Sequence, residues 1–266
     1  MSIATTIARH WPFANGSGRI IDRFTRGVDL GVGERVAQTS DGFPLHVLAN
    51  DLIGRHIILS GKFDRTVVQV LLDHACPGDI LLDVGANIGY VSGCFLSNIN
   101  DSKAICIEPQ PTIVDLLRSN MGQFNRRAVV HQVALSDITG ELRFQINDGN
   151  RGNSKITADG DLVVPSMNAA DLLRSLDKLD LVKIDVEGHE LVVFKAMEME
   201  LSRLRPRAIL FEDQTGSAAP TSGIGSILAR TGYGVFGIQK RLFETTLVPI
   251  RDAVDCRYND YLAVAS

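Results

Sequence analysis

The sequence predicts an α/β fold built on a mostly parallel sheet. Three observations carry that prediction. From Asp64 onward, short apolar runs alternate with segments of helical periodicity. The run Ile80 to Val84 leads into a turn rich in small residues, Asp83-Val-Gly-Ala-Asn-Ile-Gly89, which opens a helix. Near the C-terminus, Gly234 to Ile238 and Tyr261 to Val264 read as two strands with no helix between them, so this pair is antiparallel. Together these describe a Rossmann-like sheet with one antiparallel strand near its end.

Residues 1–62 read as a small irregular extension or lid, with frequent glycines and short strands at Phe43 to Leu48 and Arg55 to Leu59. Residues 63–266 form the main domain. Asp64 is placed to cap a helix carrying Val67, Val68, Leu71, Leu72 and Ala75, which ends near Pro77-Gly78. The strand 80–84, a helix over 88–98 and a strand over 103–108 follow. Pro111 suits the first turn of a helix reaching about Phe124, whose Ile113, Leu116, Leu117 and Met121 share one face. Ala128 to Ala134 reads as a third strand. Glu141 to Ile146 and Leu162 to Val164 read as an inserted ribbon, with a Gly- and Asn-rich loop from Asp148 to Ser154 between them. A short helix at Leu172 to Leu176 precedes a fourth strand, Leu179 to Ile184, and a helix from His189 to Ser202. Arg207 to Phe211 is the fifth strand, and Ile224 to Thr231 a helix stopped by Gly232.

In an open α/β sheet, ligands bind at the carboxyl ends of the strands. Gly85, Ala86, Asn87 and Gly89 let the backbone approach a ligand, and the helix start offers free N–H groups. The spacing Asp-x-Gly-x-x-x-Gly is not the Gly-x-Gly-x-x-Gly that cradles a pyrophosphate. It favours S-adenosylmethionine (SAM) over a dinucleotide, although an ordinary βα turn can have the same composition. Glu108, followed by Pro109, ends the second strand, where a carboxylate accepts hydrogen bonds from ribose hydroxyls. After the third strand, Ala134-Leu135 can sandwich an adenine, with Ser136 or Asp137 bonding its amino group. A plain turn is the alternative.

The densest polar cluster is Leu181 to Glu190, LVKIDVEGHE. Asp185 ends the fourth strand, with Glu187, His189 and Glu190 just beyond it. Methyl transfer to an unactivated hydroxyl needs in-line approach and removal of a proton. His189 is the side chain with a pKa nearest neutrality, raised further if Glu187 and Glu190 lie within contact distance. Asp185 and Glu187 can orient the hydroxyl or, with Glu212 at the end of the fifth strand, hold a divalent ion through oxygen ligands. Acids at a helix start are also stabilised by the helix dipole alone. Lys183, inside an apolar strand, calls for a salt bridge to a strand-end acid.

The 266 residues carry a net charge of −4 and are 45% hydrophobic, enough for a substantial core and without a basic field for nucleic acid. Four cysteines show no metal-ligand spacing, no apolar run is long enough for a membrane span, and the N-terminus lacks a signal-peptide core. These features fit a cytoplasmic protein. They leave its oligomeric state open.

The segments DVGANIGYVS (83–92), IEP (107–109), VALSDITGELRF (133–144), VKIDVEGHE (182–190), RPRAILFE (205–212) and NDYLAVA (259–265) resemble, in order, the FkbM family of SAM-dependent methyltransferases. The resemblance covers roughly residues 61–265. It implies a class I methyltransferase fold and O-methylation of a small acceptor, a sugar or natural-product hydroxyl. It also implies SAM contacts for Asp83, Gly85, Asn87, Gly89 and Glu108. Family members often carry Thr-Leu-Asp before the short helix, where this chain has Asn168-Ala169-Ala170 and then Asp171. The competing readings are a nucleic-acid methyltransferase and a non-catalytic SAM-binding protein. The first is disfavoured by the acidic balance and by Asp185-Val-Glu-Gly standing where base-methylating enzymes carry an Asn/Asp-Pro-Pro-aromatic motif.

Overall fold

The computed structural model describes residues 3–25, 27–147 and 154–266. The extension comprises helices α1 (Ile3–Arg9) and α2 (Ser17–Phe24), a hairpin of β1 (Glu34–Gln38) and β2 (Pro44–Leu48), and α3 (Leu52–Ser60). The main domain opens with α4 (Arg65–Asp73), β3 (Ile80–Val84), α5 (Tyr90–Asn98), β4 (Lys103–Ile107), α6 (Pro111–Gly122) and β5 (Ala128–His131). The inserted part follows as β6 (Ala134–Ser136), β7 (Gly140–Gln145), β8 (Lys155–Ile156) and β9 (Leu162–Asn168), leading into α7 (Ala169–Arg174). The chain closes with β10 (Leu181–Ile184), α8 (Glu190–Leu204), β11 (Ala208–Glu212), α9 (Gly223–Arg230), β12 (Tyr233–Lys240), β13 (Thr245–Pro249) and β14 (Asp260–Ala265).

The central sheet runs β13-β12-β14-β11-β10-β3-β4-β5. Strands β5, β4, β3, β10 and β11 are mutually parallel, and β14 is antiparallel to both β11 and β12. The antiparallel pair expected at the C-terminus is therefore present. A second reversed strand, β13, adds to the edge beyond β12. Both faces of the central strands are buried, which explains their unbroken apolar runs: Leu81, Leu82, Val84, Leu181, Val182 and Ile184 are all inaccessible.

Three local expectations fail for identifiable reasons. Arg55 to Leu59 is not a strand but the body of α3. Asp51 accepts a bond from Ile53 N at its start, Gly61 closes it in the left-handed conformation, Ile53 and Ile57 pack into the main core, and Leu59 packs with Ala8 and Ile21. The third strand divides in two: β5 stays in the central sheet, while β6 leaves it to pair with β9. Asp64 precedes α4 but caps nothing; its carboxylate is drawn to Lys240 Nζ, 2.8 Å away. The Gly- and Asn-rich loop expected from Asp148 onward lies, apart from Ser154, outside the described residues.

The extension shares a core with the main domain. Leu45, Val47, Ile53 and Ile57 pack in one cluster with Val68, Leu71 and Leu81. Asn120 on α6 ties the hairpin down, accepting from His46 N and donating to the carbonyls of His46 and Ile88. Phe43 lies so close over Gly93 that a Cβ there would fall 2.6 Å from its ring.

Candidate active site

The turn after β3 is shaped by main-chain bonds. Gly85 N and Ala86 N both donate to Ile107 O at 3.0 Å, which folds the turn over the end of β4. Gly85 has φ 77°, and a Cβ there would sit 1.8 Å from the Asp185 carbonyl oxygen. Both the backbone angle and the neighbouring strand demand glycine. Gly89, at φ 84°, is held for another reason: its Cβ would collide with Leu117 and Met121.

Glu108 stands where the sequence places it, at the tip of β4. Its Oε2 accepts from Asn87 N and its Oε1 from Gln110 N, both at 3.0 Å. Burial pushes its pKa up to about 7 against the pull of those two N–H groups. Two of a carboxylate's roughly four lone-pair sites are used, so it can still accept from a vicinal diol.

Under the turn lies a charge cluster. Lys183 is buried on β10 beside Asp83 on β3, its partner in the sheet register. Its Nζ donates to Gly85 O at 2.8 Å and reaches Asp185 Oδ2 at 3.3 Å and Asp83 Oδ1 at 3.5 Å. Burial alone would lower the Lys183 pKa, but Asp185 and Asp83 outweigh it and hold the ammonium charged. Asp83 also accepts from Ser92 Oγ. The salt bridge expected of Lys183 is thus present, and Asp83 acts from beneath the turn.

A cavity of about 500 Å³ opens above. Gly85, Ala86, Asn87, Glu108, Pro109, Ala134 and Leu135 line one end, and Asp185, Glu187 and Glu212 the other. Carboxylate oxygens of these three acids lie within 4.8 Å of one another, so the predicted trio is brought together. Burial, then Asp185 and Glu190, raises Glu187 to about 7; burial, then Asp185, raises Glu212 to about 8. Glu187 also holds a left-handed backbone, φ 51°, which turns the chain between β10 and α8.

Asp83, Gly89, Ser136, Asp137 and His189 do not line this cavity. His189 Nε2 shares a 2.9 Å hydrogen bond with Ser136 Oγ. Burial lowers its pKa, with Asp137 opposing; Glu187 and Glu190 exert no pull on it. The rise foreseen from those two acids is absent: burial dominates, and the ring is turned to Ser136 instead. Asp64, Lys240 and Asp260 do line the cavity, joined through Lys240 Nζ, and sequence reasoning missed them. Nothing local marks them, since they meet from α4, β12 and β14.

A parallel sheet with a glycine turn at one strand end and acids at the next two has the form of a Rossmann-like ligand site. The family model for the methyltransferase FkbM domain matches residues 83–233, and this chain belongs to the FkbM methyltransferase family. It is 31% identical over 137 residues to the hexuronic acid methyltransferase AglP of Haloferax volcanii, covering 50% of this chain and 56% of that protein. It is 26% identical over 175 residues to the 2-O-methyltransferase NoeI of Sinorhizobium fredii, covering 58% of this chain and 70% of NoeI. The chain thus spans about half the length of the first relative and more of the second. Among solved structures, an FkbM methyltransferase from Methylobacillus flagellatus superposes with TM-score 0.49 and 15% identity, over 79% of this chain and 54% of that one. No helix among the described residues is long and apolar enough to cross a membrane.

Proposed function

We propose that this protein is a SAM-dependent O-methyltransferase acting on a hydroxyl of a small acceptor, a sugar, glycan or natural product. The carrying observation is a cavity with a diol-accepting carboxylate, Glu108, at one end and carboxylates of raised pKa at the other. AglP and NoeI, both named as methyltransferases, support the reading.

SAM supplies an electrophilic methyl group: the acceptor oxygen forms a C–O bond to it, the C–S bond breaks, its electron pair stays on sulfur, and the hydroxyl proton leaves. In this chain Glu108 would hold the ribose, and Gly85 to Asn87 would let the backbone approach the cofactor. Leu135 and Pro109, which line the same cavity, would flank the adenine. Asp185, fixed by Lys183, orients the acceptor hydroxyl, and Glu187 takes its proton. A proton acceptor near pH 7 is well matched to that task. His189 is left a positioning role through Ser136.

A divalent cation is a second proposal at the same point, favoured by the convergence of the three carboxylates. Hard oxygen ligands at that separation suit magnesium or calcium. Asp185, Glu187 and Glu212 would hold it, and it would lower the pKa of the acceptor hydroxyl.

Calorimetry with S-adenosylhomocysteine (SAH), SAM and NAD tests the cofactor, and radiolabelled methyl transfer from SAM to a panel of glycosides tests the reaction. SAH binding with transfer to a hydroxyl is expected. Preference for NAD, or SAH binding without transfer to any hydroxylated compound, would sink the enzyme reading. Activity unchanged by exhaustive EDTA would dispose of the metal.

A further inference from the structure

The main cavity follows the rim of the central sheet at the carboxyl ends of its parallel strands, and the strand order sets what stands along it. Glu108 follows β4, Gly85 follows β3, Asp185 follows β10, and Glu212 ends β11. Beyond β11 come β14 and then β12. Because β14 is antiparallel, its first residue, Asp260, stands on the same rim, opposite Glu212 in the register. Strand β12 reverses again, so its last residue, Lys240, ends there too. The cofactor as placed above takes the rim from β4 to β10 and leaves the stretch over β14 and β12 free. From this order we infer that the acceptor lies over β14 and β12, where Asp64, Lys240 and Asp260 bind hydroxyls of a polyhydroxylated ring such as a glycoside. The inference rests on the methyltransfer reading above and adds the seat and class of the acceptor.

The chemistry of the triad argues for that class. Lys240 Nζ lies 2.8 and 3.1 Å from the two Asp64 oxygens and 2.7 Å from Asp260 Oδ2. An ammonium has three donors, and these contacts use them. Two carboxylates are thereby fixed in the cavity wall, each with lone pairs to spare. The same arrangement occurs at Glu108, where fixed N–H donors orient a carboxylate that can still accept from a diol. A ring carrying several hydroxyls supplies donors to match. An anionic ligand would have to displace Asp64 or Asp260 to reach the ammonium. Carbon surface is at hand as well: Leu52 and Ile53 from α3, and Phe63 beside Asp64 in the chain, line the same cavity. They suit the C–H face of a ring whose hydroxyls meet the triad.

Distance separates this seat from the cofactor. Asp260 is four strands along from Glu108, about 19 Å at the usual spacing of paired strands. The cofactor chain beyond its ribose, a few single bonds, covers about half of that. Asp185 and Glu212 stand on the strands between, where the two ligands would meet.

The test uses the full chain saturated with SAH. A panel of methyl hexopyranosides, with methanol and phenol as single-hydroxyl controls, is screened by saturation-transfer NMR and titrated. At least one hexopyranoside is expected to bind and to shift the δ1-methyl resonance of Ile53 in isoleucine-labelled protein. Lys240→Met, which releases both carboxylates, should weaken that binding by at least about tenfold with SAH affinity unchanged. Leu52→Trp, at an exposed position on α3, should weaken it similarly by filling the seat. Thermal melts check that each variant is folded, and the Ile53 shift reads the location without any substitution. Sugar binding that leaves Ile53 unmoved, or that neither variant weakens, overturns the location. A loss of SAH affinity in Lys240→Met gives the triad to the cofactor and overturns it equally. If SAH binds and no hexopyranoside does, the acceptor class falls while the cofactor reading stands. If SAH itself does not bind, both fall together.

Discussion

The two ends of the main cavity are built by different means. At the Gly85–Glu108 end the determinants are backbone: two N–H groups on Ile107 O, two more on the Glu108 carboxylate, and a glycine with no room for a Cβ. At the Asp185–Glu212 end they are side chains from two strand ends, Asp185 paired with Lys183 and Glu212 bonded by Gln214, close enough together to raise Glu187 and Glu212 to about 7 and 8. A turn set by main-chain bonds and by a glycine with no room for a Cβ tolerates almost no substitution. A side-chain-built site can be altered one residue at a time.

The largest effect should come from breaking the backbone end. Gly85→Val places a branched side chain against the Asp185 carbonyl at a positive φ. We expect SAH affinity to fall by at least about a hundredfold, with a lowered Tm, by calorimetry and thermal melts. Unaltered affinity would show that the turn is not the cofactor floor. Glu108→Ala should follow, at about 2 kcal/mol or roughly thirtyfold in SAH affinity, from the loss of charge-assisted bonds to two hydroxyls. A folded Glu108→Ala protein with wild-type affinity would remove the ribose assignment.

A pH titration sharpens the same contrast. Burial raises Glu108 from an ordinary 4.5 to about 7, and its ionised form is the better acceptor for ribose. SAH affinity should therefore decline as pH falls through about 7, and Glu108→Gln should flatten that dependence. The stability of the ligand-free protein runs the other way. A carboxyl whose pKa is raised by folding contributes stability fully below its unfolded value, and the contribution is lost as pH rises through about 7. Parallel pH trends for affinity and stability would contradict this account.

The smallest effect is expected at His189. Its ring bonds Ser136 and does not line the cavity, so His189→Ala should leave kcat within about threefold and cost roughly 1 kcal/mol in urea unfolding. A drop of about a hundredfold or more in kcat would restore it as the general base.

What the sequence made legible follows the same division. The turn, Glu108 and the acids after β10 and β11 are local patterns, each a strand end followed by a short polar run. The transfer of Ala134 to Ser136 out of the central sheet was not legible, because pairing with β9 depends on residues 30 positions away or more. Asp64 read as a helix cap since capping is local; its capture by Lys240 is a contact across 176 positions. His189 illustrates the limit from the other direction. Composition marks it as the natural base, but the left-handed Glu187 and the start of α8 settle where its ring goes.

The inserted sheet β6-β9-β7-β8 shares no strand with the central one. It nonetheless reaches the central site, because Ala134, Leu135, Phe144 and Ile156 line the same cavity as Gly85 and Glu108. Two independently paired sheets thus meet over one cavity, so a shift of register in the inserted sheet would reshape that cavity while the turn over Ile107 kept its bonds.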